Sequence, residues 1–393
     1  MKKTPNSAAG FTLLELLTSA TIAVVAVAAA SVALTTQYRA MQSVDLARGA
    51  NTQSRAAMTR IESSLRELGW GIDPRYAIDM KYAKGAAGAT CTPPCRDHYN
   101  APDELVFVAR NPYYRWRAGG DNGCPSASTG GCYDGNSWPA TAMTAGTPKT
   151  ITATIPNAVT LEEGRVILLT CATGTSAVMI TVASTTTGAG AGTVITPLAT
   201  NAIPYNDWTS LVACHGTTGA SVFLVDRYHY YLDTGTYSVP WLMFDTGLYP
   251  SAGGDIYPLA KDVEDIQVAY GLTPSTLYPA PDTNADWVLG NDTSSAAAEE
   301  PDFDAGSPGY STSLTASSRF TKNPANVRAI RVTLRLRSDR TDQTHPSSWT
   351  GDTLVYPENH AQSGSLSGGR YRRYTAETEV TLRNLDSTSP FTF

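Results

Sequence analysis

The sequence predicts an α+β protein: a long N-terminal α-helix, transmembrane then amphipathic, packed on a large antiparallel β-rich globular head with disulfide-bearing insertions. Three observations predict it. The segment from Phe11 to Leu68 has no proline and a lone glycine, Gly49. Two C-terminal segments, Val327 to Arg337 and Tyr374 to Arg383, alternate apolar and polar residues as a half-buried strand does. Between helix and C-terminus, short β-prone runs alternate with Gly-, Ser-, Thr- and Pro-rich loops, and all six cysteines fall between Cys91 and Cys214.

The length of 393 residues permits a substantial core, and only 16% of residues are charged, below the ~25% of an average soluble domain. The formal net charge of −6 offers no broad basic field, so no nucleic acid is expected as a main partner.

The helix justifies itself residue by residue. Lys2 and Lys3 open a short leader; Gly10, Phe11, Thr12, Leu13, Leu14, Glu15, Leu16 and Leu17 follow, and every residue from Leu16 to Tyr38 is uncharged. At ~1.5 Å per residue that run crosses a ~30 Å hydrocarbon core, and the basic leader stays cytoplasmic while the remainder crosses. Glu15 stands inside the apolar run, where a lone carboxylate costs several kcal/mol, so it marks function. A cleaved secretory signal, ending near Ala28 to Ala30, is the competing reading; the apolar segment is long for one and carries an acid near its start. Farther on, Tyr38, Met41, Val44, Ala47, Ala57, Ile61, Leu65 and Leu68 recur near helical spacing, with Arg39, Asp45, Arg48, Arg60, Glu62 and Arg66 interleaved. That stripe is expected to pack on the head. Gly69 to Pro74 should end a helix of about 58 residues, ~87 Å long.

Candidate strands in the next region are Glu104 to Ala109, Thr150 to Ile155, Arg165 to Cys171, Ala177 to Ala183 and Ser221 to Leu232. The Gly-spaced stretch Thr185 to Thr193 reads as a hairpin tip, since no helix follows it as a nucleotide loop requires. In Val327 to Arg337, Ile330, Val332, Leu334 and Leu336 should face the core, leaving Arg331, Thr333, Arg335 and Arg337 on a solvated face. Arg331 and Arg335 would oppose Glu377 and Glu379 of a neighbouring strand.

In an exported chain six cysteines suggest structural disulfides, and chain order favours Cys91 with Cys95, Cys124 with Cys132, and Cys171 with Cys214. Cys91, Cys95 and His98 lack a second pair to complete a zinc site, and no metal is assigned. Asp282, Asn284 and Asp286 match the first odd positions of a calcium loop. Trp287 stands where such a loop needs Gly, and Thr293 where it needs a bidentate Glu; with Glu299, Glu300, Asp302 and Asp304 they read as a solvated loop, with calcium the alternative. No cofactor is expected. There is no nucleophile elbow, no metalloprotease motif and no phosphate loop, and His98, His215, His229, His345 and His360 are dispersed, so no enzyme is read.

Gly10-Phe11-Thr12-Leu13-Leu14-Glu15 resembles the class III signal of type IV pilins and type II secretion pseudopilins. The resemblance implies cleavage after Gly10 by a prepilin peptidase, N-methylation of Phe11, and pairing of Glu15 with the Phe11 ammonium of an adjacent subunit. Such pairing would relieve two buried charges at once. Ile61 to Trp70, Val263 to Gly271, Val327 to Ser338 and Tyr374 to Asn384 resemble segments of the PilW family of minor pilins, although Glu67-Leu68 replaces that family's usual small residue. The stretch from 86 to 220 matches less well. The resemblance implies a leader 1–10, a transmembrane and assembly segment 11–38, an amphipathic helix 39–70, a β-rich cysteine-containing region 71–225 and a C-terminal sheet 226–393. It further implies a subunit held in the inner membrane with its head in the periplasm, later incorporated at low copy near the tip of an extracellular filament. Other minor pilins, the major pilin and a large tip adhesin are the implied partners. The alternatives are a J-type secretion pseudopilin, or a membrane-anchored glycan-binding or hydrolytic surface protein using Tyr113, Tyr114 and Trp116.

Overall fold

The structure, a computed structural model, describes residues 12–70, 72, 77–78, 102–109, 138–144, 149–155, 161–171, 177–188, 192–197, 208–247, 256–272, 287–289, 327–342 and 370–385. Helix α1 spans Leu13–Leu65 and starts from Thr12 as N-cap. The chain then forms β1 (Leu105–Ala109), β2 (Trp138–Met143), β3 (Ile151–Ala153), β4 (Val166–Cys171), β5 (Ala177–Gly188) and β6 (Gly192–Pro197). Helix α2 (Trp208–Thr218) precedes β7 (Ala220–Asp233), β8 (Trp241–Asp245), β9 (Ile256–Lys261), β10 (Val263–Leu272), β11 (Trp287–Leu289), β12 (Val327–Arg337) and β13 (Arg373–Thr381).

Six of the strands close on themselves. β2 pairs with β3, β3 with β6, β6 with β5, β5 with β4, β4 with β7, and β7 returns to β2, all antiparallel. The result is a small barrel whose interior side chains alternate along each strand: Ile167, Leu169 and Cys171 of β4, Val178, Ile180 and Val182 of β5, and Ala220, Val222 and Leu224 of β7. A barrel this narrow is filled by its own side chains. The intervening residues Val166, Leu168, Met179, Phe223 and Val225 point outward and pack with Ile72 and Val108, which seats the barrel beside the end of α1. Helix α2 closes one mouth, with Trp208 and Leu211 in the barrel core. The β5–β6 pair runs to Gly188 opposite Gly192, the hairpin read from Thr185 to Thr193.

Strand β7 serves two layers. Its first half belongs to the barrel; from Asp226 onward it pairs with β1 and then β8, and β9 lies outside β8. At Asp262 the chain turns out of this sheet into a second one, ordered β11-β10-β12-β13 among the described residues. Asp262 takes φ of 59°, a left-handed conformation that a short polar side chain tolerates. Asp103 ties the sheets together: its N–H donates to the Ile266 carbonyl at 2.9 Å and its Oδ2 accepts from the Val268 N–H at 2.8 Å. The last third of α1 and the turn after it fill the space between the sheets, with Ala57, Met58, Ile61, Leu65 and Leu68 against Phe107, Tyr230, Phe244, Val332 and Leu334.

Two sequence expectations are corrected. Tyr38, Met41 and Val44 do not pack on the head; they are 64%, 67% and 49% exposed. The buried face runs instead through Ser43, Ala50, Ser54, Ala57 and Ile61, because small side chains let the helix backbone approach the sheet closely. Nor does β12 present a wholly solvated arginine face. Arg335 is 1% exposed and Thr333 is buried beside it, since Glu264 of β10 reaches over that face. The register places Arg331 opposite Glu379 as expected, but Glu377 opposite Thr333 and Arg335 opposite Thr375.

Candidate assembly site

Helix α1 is uncovered over its apolar part: Leu13, Leu16, Val24, Val27 and Leu34 are all exposed, and the helix is long and apolar enough to cross a membrane. Its first turn is closed by a capping box. The Glu15 N–H donates to Thr12 Oγ1 at 3.3 Å, while the Thr12 N–H and hydroxyl both donate to Glu15 Oε2 at 3.1 Å. In this conformation Glu15 is satisfied by its own helix start, where the macrodipole favours an anion. The Thr-x-x-Glu spacing carries this signature, and the sequence reading passed over it. Gly10 and Phe11 lie outside the described residues.

The other end of α1 is clamped into the head. Tyr230 donates its hydroxyl to Ser64 Oγ at 2.8 Å and Tyr228 donates to Glu67 Oε2 at 2.8 Å, both reaching from β7. Burial pushes both phenols above their ordinary value, and the hydrogen bond to the Glu67 carboxylate pushes Tyr228 further. Asn384, just past β13, donates to the carbonyls of Arg66 and Leu68 at 3.1 Å each, which satisfies orphan acceptors at the helix end. Gly69 then leaves the helix at φ of 72° with its N–H on the Val108 carbonyl. A β-carbon there would collide with Leu385. Gly69→Ala is expected to cost about 2 kcal/mol, from the left-handed backbone and the clash together, measured as a lowered midpoint in urea unfolding. Tyr228 and Tyr230 were not singled out in the sequence, where the Tyr-rich run was the available sign, and Asn384 stood there only as the end of a segment resembling PilW.

His229 is buried. Its Nε2 lies 3.0 Å from Glu104 Oε2 and its Nδ1 3.6 Å from Asp245 Oδ2, so it bridges β1 and β8. Burial raises the Asp245 carboxyl, but hydrogen bonds from His229 and the Gly247 N–H, with the nearby Arg227 charge, hold it below its ordinary value. His215 faces the Ala140 carbonyl at 3.0 Å and helps seat α2.

Cys171 and Cys214 are joined as a disulfide, with Cα atoms 5.9 Å apart, which fastens α2 to the end of β4. Cys91, Cys95, Cys124 and Cys132 lie outside the described residues. So do the calcium candidates Asp282, Asn284 and Asp286, the histidines His98, His345 and His360, and Tyr113, Tyr114 and Trp116. Among the described residues no cluster of His, Cys, Asp and Glu has the makings of a metal site.

Comparison with known proteins places these observations. A comparison with curated protein sequences returned no match. Among solved structures, a type IV-like pilin from Thermus thermophilus is similar at 14% identity over 57% of this chain and 86% of that chain, with a TM-score of 0.20. The family model described as Type IV Pilus-assembly protein W, PilW, matches residues 229–384. That span holds the last five residues of β7, His229 to Asp233, and all of β8 to β13, so Val263 to Gly271 and Val327 to Ser338 fall within it, whereas α1 and the barrel do not. The C-terminal two-sheet part of this chain therefore resembles the type IV pilus-assembly family PilW, and it follows a helix long and apolar enough to cross a membrane.

Proposed function

We propose that this chain is a minor pilin, processed after Gly10, methylated on Phe11, held in the inner membrane by α1 with its head in the periplasm, and incorporated at low copy near the tip of a type IV pilus. One observation carries the reading: Glu15 sits at the start of a bare, membrane-length helix whose far end alone is locked into the head. A helix built this way has an apolar surface that only lipid or other helices can cover, and one acid that sets the axial register of whatever helix replaces the lipid. In the lipid state Glu15 is capped by Thr12; on assembly it exchanges that cap for the Phe11 ammonium of an adjacent subunit. A head comprising a barrel and two further β layers is bulky for repeated packing along a shaft, which favours the tip and a role with other minor pilins in initiating assembly.

Glu15→Ala is expected to reduce incorporation into sheared filaments on the order of 100-fold, as one partner of a buried ion pair is removed, while leaving membrane levels of the chain unchanged. Quantitative immunoblotting of filaments against membranes measures this, and mass spectrometry of the mature N-terminus must find methylated Phe11. Filaments carrying the Glu15→Ala chain at wild-type levels, or a product starting near Ser31, would overturn the proposal.

A further inference from the structure

Among the described residues, the part of the head packed nearest the membrane-length part of α1 is the Asp262 corner, the end of β12 with the residues that follow it, and the start of β13. With Gln42, Asp45, Gly49 and Gln53 of α1 they enclose a cleft of about 700 Å³. Its charges are sorted by depth. The buried carboxylates are engaged from within: Asp262 by Arg337 at 3.2 Å and by Lys261 at 3.7 Å, and Asp342 by Arg372. Arg337 also lies over the Tyr371 ring at 4.6 Å. Lys261 and Arg372, engaged with those carboxylates, and Arg340, 3.8 Å from Asp339, are also partly open to solvent. The Arg340 side chain is 83% exposed and those of Lys261 and Arg372 are 37% and 35% exposed, while Arg39 and Arg48 are exposed on the adjoining helix. Asp45 and Asp339 are the exposed anions among the described residues of this end, so among those residues the exposed cations outnumber the exposed anions although the chain as a whole is acidic.

Its height above the bilayer follows from the helix rise. Taking Leu34 as the last residue in hydrocarbon, Gln42 at the lip of the cleft stands about 12 Å farther along the axis and Arg39 about 8 Å. The headgroup layer is itself ~5–8 Å deep, a helix tilts by ~20° on average, and an arginine side chain spans the gap that is left. We infer that this end of the head rests on anionic phospholipid headgroups of the leaflet from which α1 emerges, with Arg39 and Arg340 as its outermost contacts. Seated so, the head holds a fixed angle to the membrane before the helix is drawn out. The inference rests on membrane anchoring through α1 and not on filament incorporation, so either can fail without the other.

The test is hydrogen–deuterium exchange of the full chain in nanodiscs of phosphatidylcholine alone and of phosphatidylcholine with phosphatidylglycerol. Residues 337–342 and 370–373 should exchange about fivefold slower per engaged cation in the anionic discs, and ~1 M salt should erase the difference. Arg39→Glu with Arg340→Glu should also erase it while leaving exchange in the α1–β7 clamp unchanged. Equal exchange in the two lipids, or slowing that appears only when duplex DNA is added to the neutral discs, would overturn the inference; the lipid and salt comparisons need no variant and stand even if the double substitution misfolds.

Discussion

Replacing Glu264 with alanine is expected to destabilise the C-terminal sheet by about 3–5 kcal/mol, because it removes the carboxylate between two buried guanidinium groups. Glu264 stands at the start of β10 and its Oε2 lies 2.8 Å from Arg373 Nε and 3.5 Å from Arg335, with Oε1 accepting from Arg373 at 3.1 Å. Both arginine side chains are almost wholly buried, so water cannot take over from the lost acid. Arg335→Met should cost less, since the shorter Glu264–Arg373 pair remains and the thioether fills the vacated volume. Urea unfolding followed by tryptophan fluorescence compares the two; a Glu264→Ala loss below that of Arg335→Met would show that the acid is not the keystone of this face.

Removing the disulfide, as Cys171→Ala with Cys214→Ala, is expected to cost about 4 kcal/mol by loop closure over a sequence separation of 43, or roughly 10 °C in melting temperature. The loss should be local at first. Once the bond is gone, α2 is held to β2 by Trp208 on the Thr144 carbonyl at 3.1 Å and His215 at the Ala140 carbonyl, with Trp208 and Leu211 in the barrel core. Amide exchange should therefore rise across 208–218 before it rises in β4 or β7. Uniform acceleration throughout the head would mean that the bond staples the whole fold and not the plug helix alone.

How much of this was legible in the sequence depends on the range of the interaction. The helix, β12 and β13 were plain because each carries its period within a few residues: Ile330, Val332, Leu334 and Leu336 alternate whatever lies beside them. The Cys171–Cys214 bond followed from chain order. Glu15 was visible because a charge in an apolar run is anomalous by itself, yet its cap was overlooked though Thr12 is three residues away. The placement of Tyr38, Met41 and Val44 was misread, because helical spacing marks residues near one face but not which partner meets that face. Arg335 was misread for a related reason: alternation identifies the second face of a strand, and only a neighbouring strand decides whether that face meets water or Glu264.

The sequence by itself determined the membrane-length helix with its single acid, the β character of the head, and the C-terminal strands that match PilW. These are properties of local pattern, fixed by hydrophobic period and the cost of charge in lipid. Only the tertiary structure decided that β2 to β7 close into a barrel, that β7 is shared between barrel and sheet, and that Tyr228, Tyr230 and Asn384 grip the helix end. Each of those joins residues far apart along the chain, and their pairing follows from how whole elements exclude water from one another, which no short stretch of sequence encodes alone.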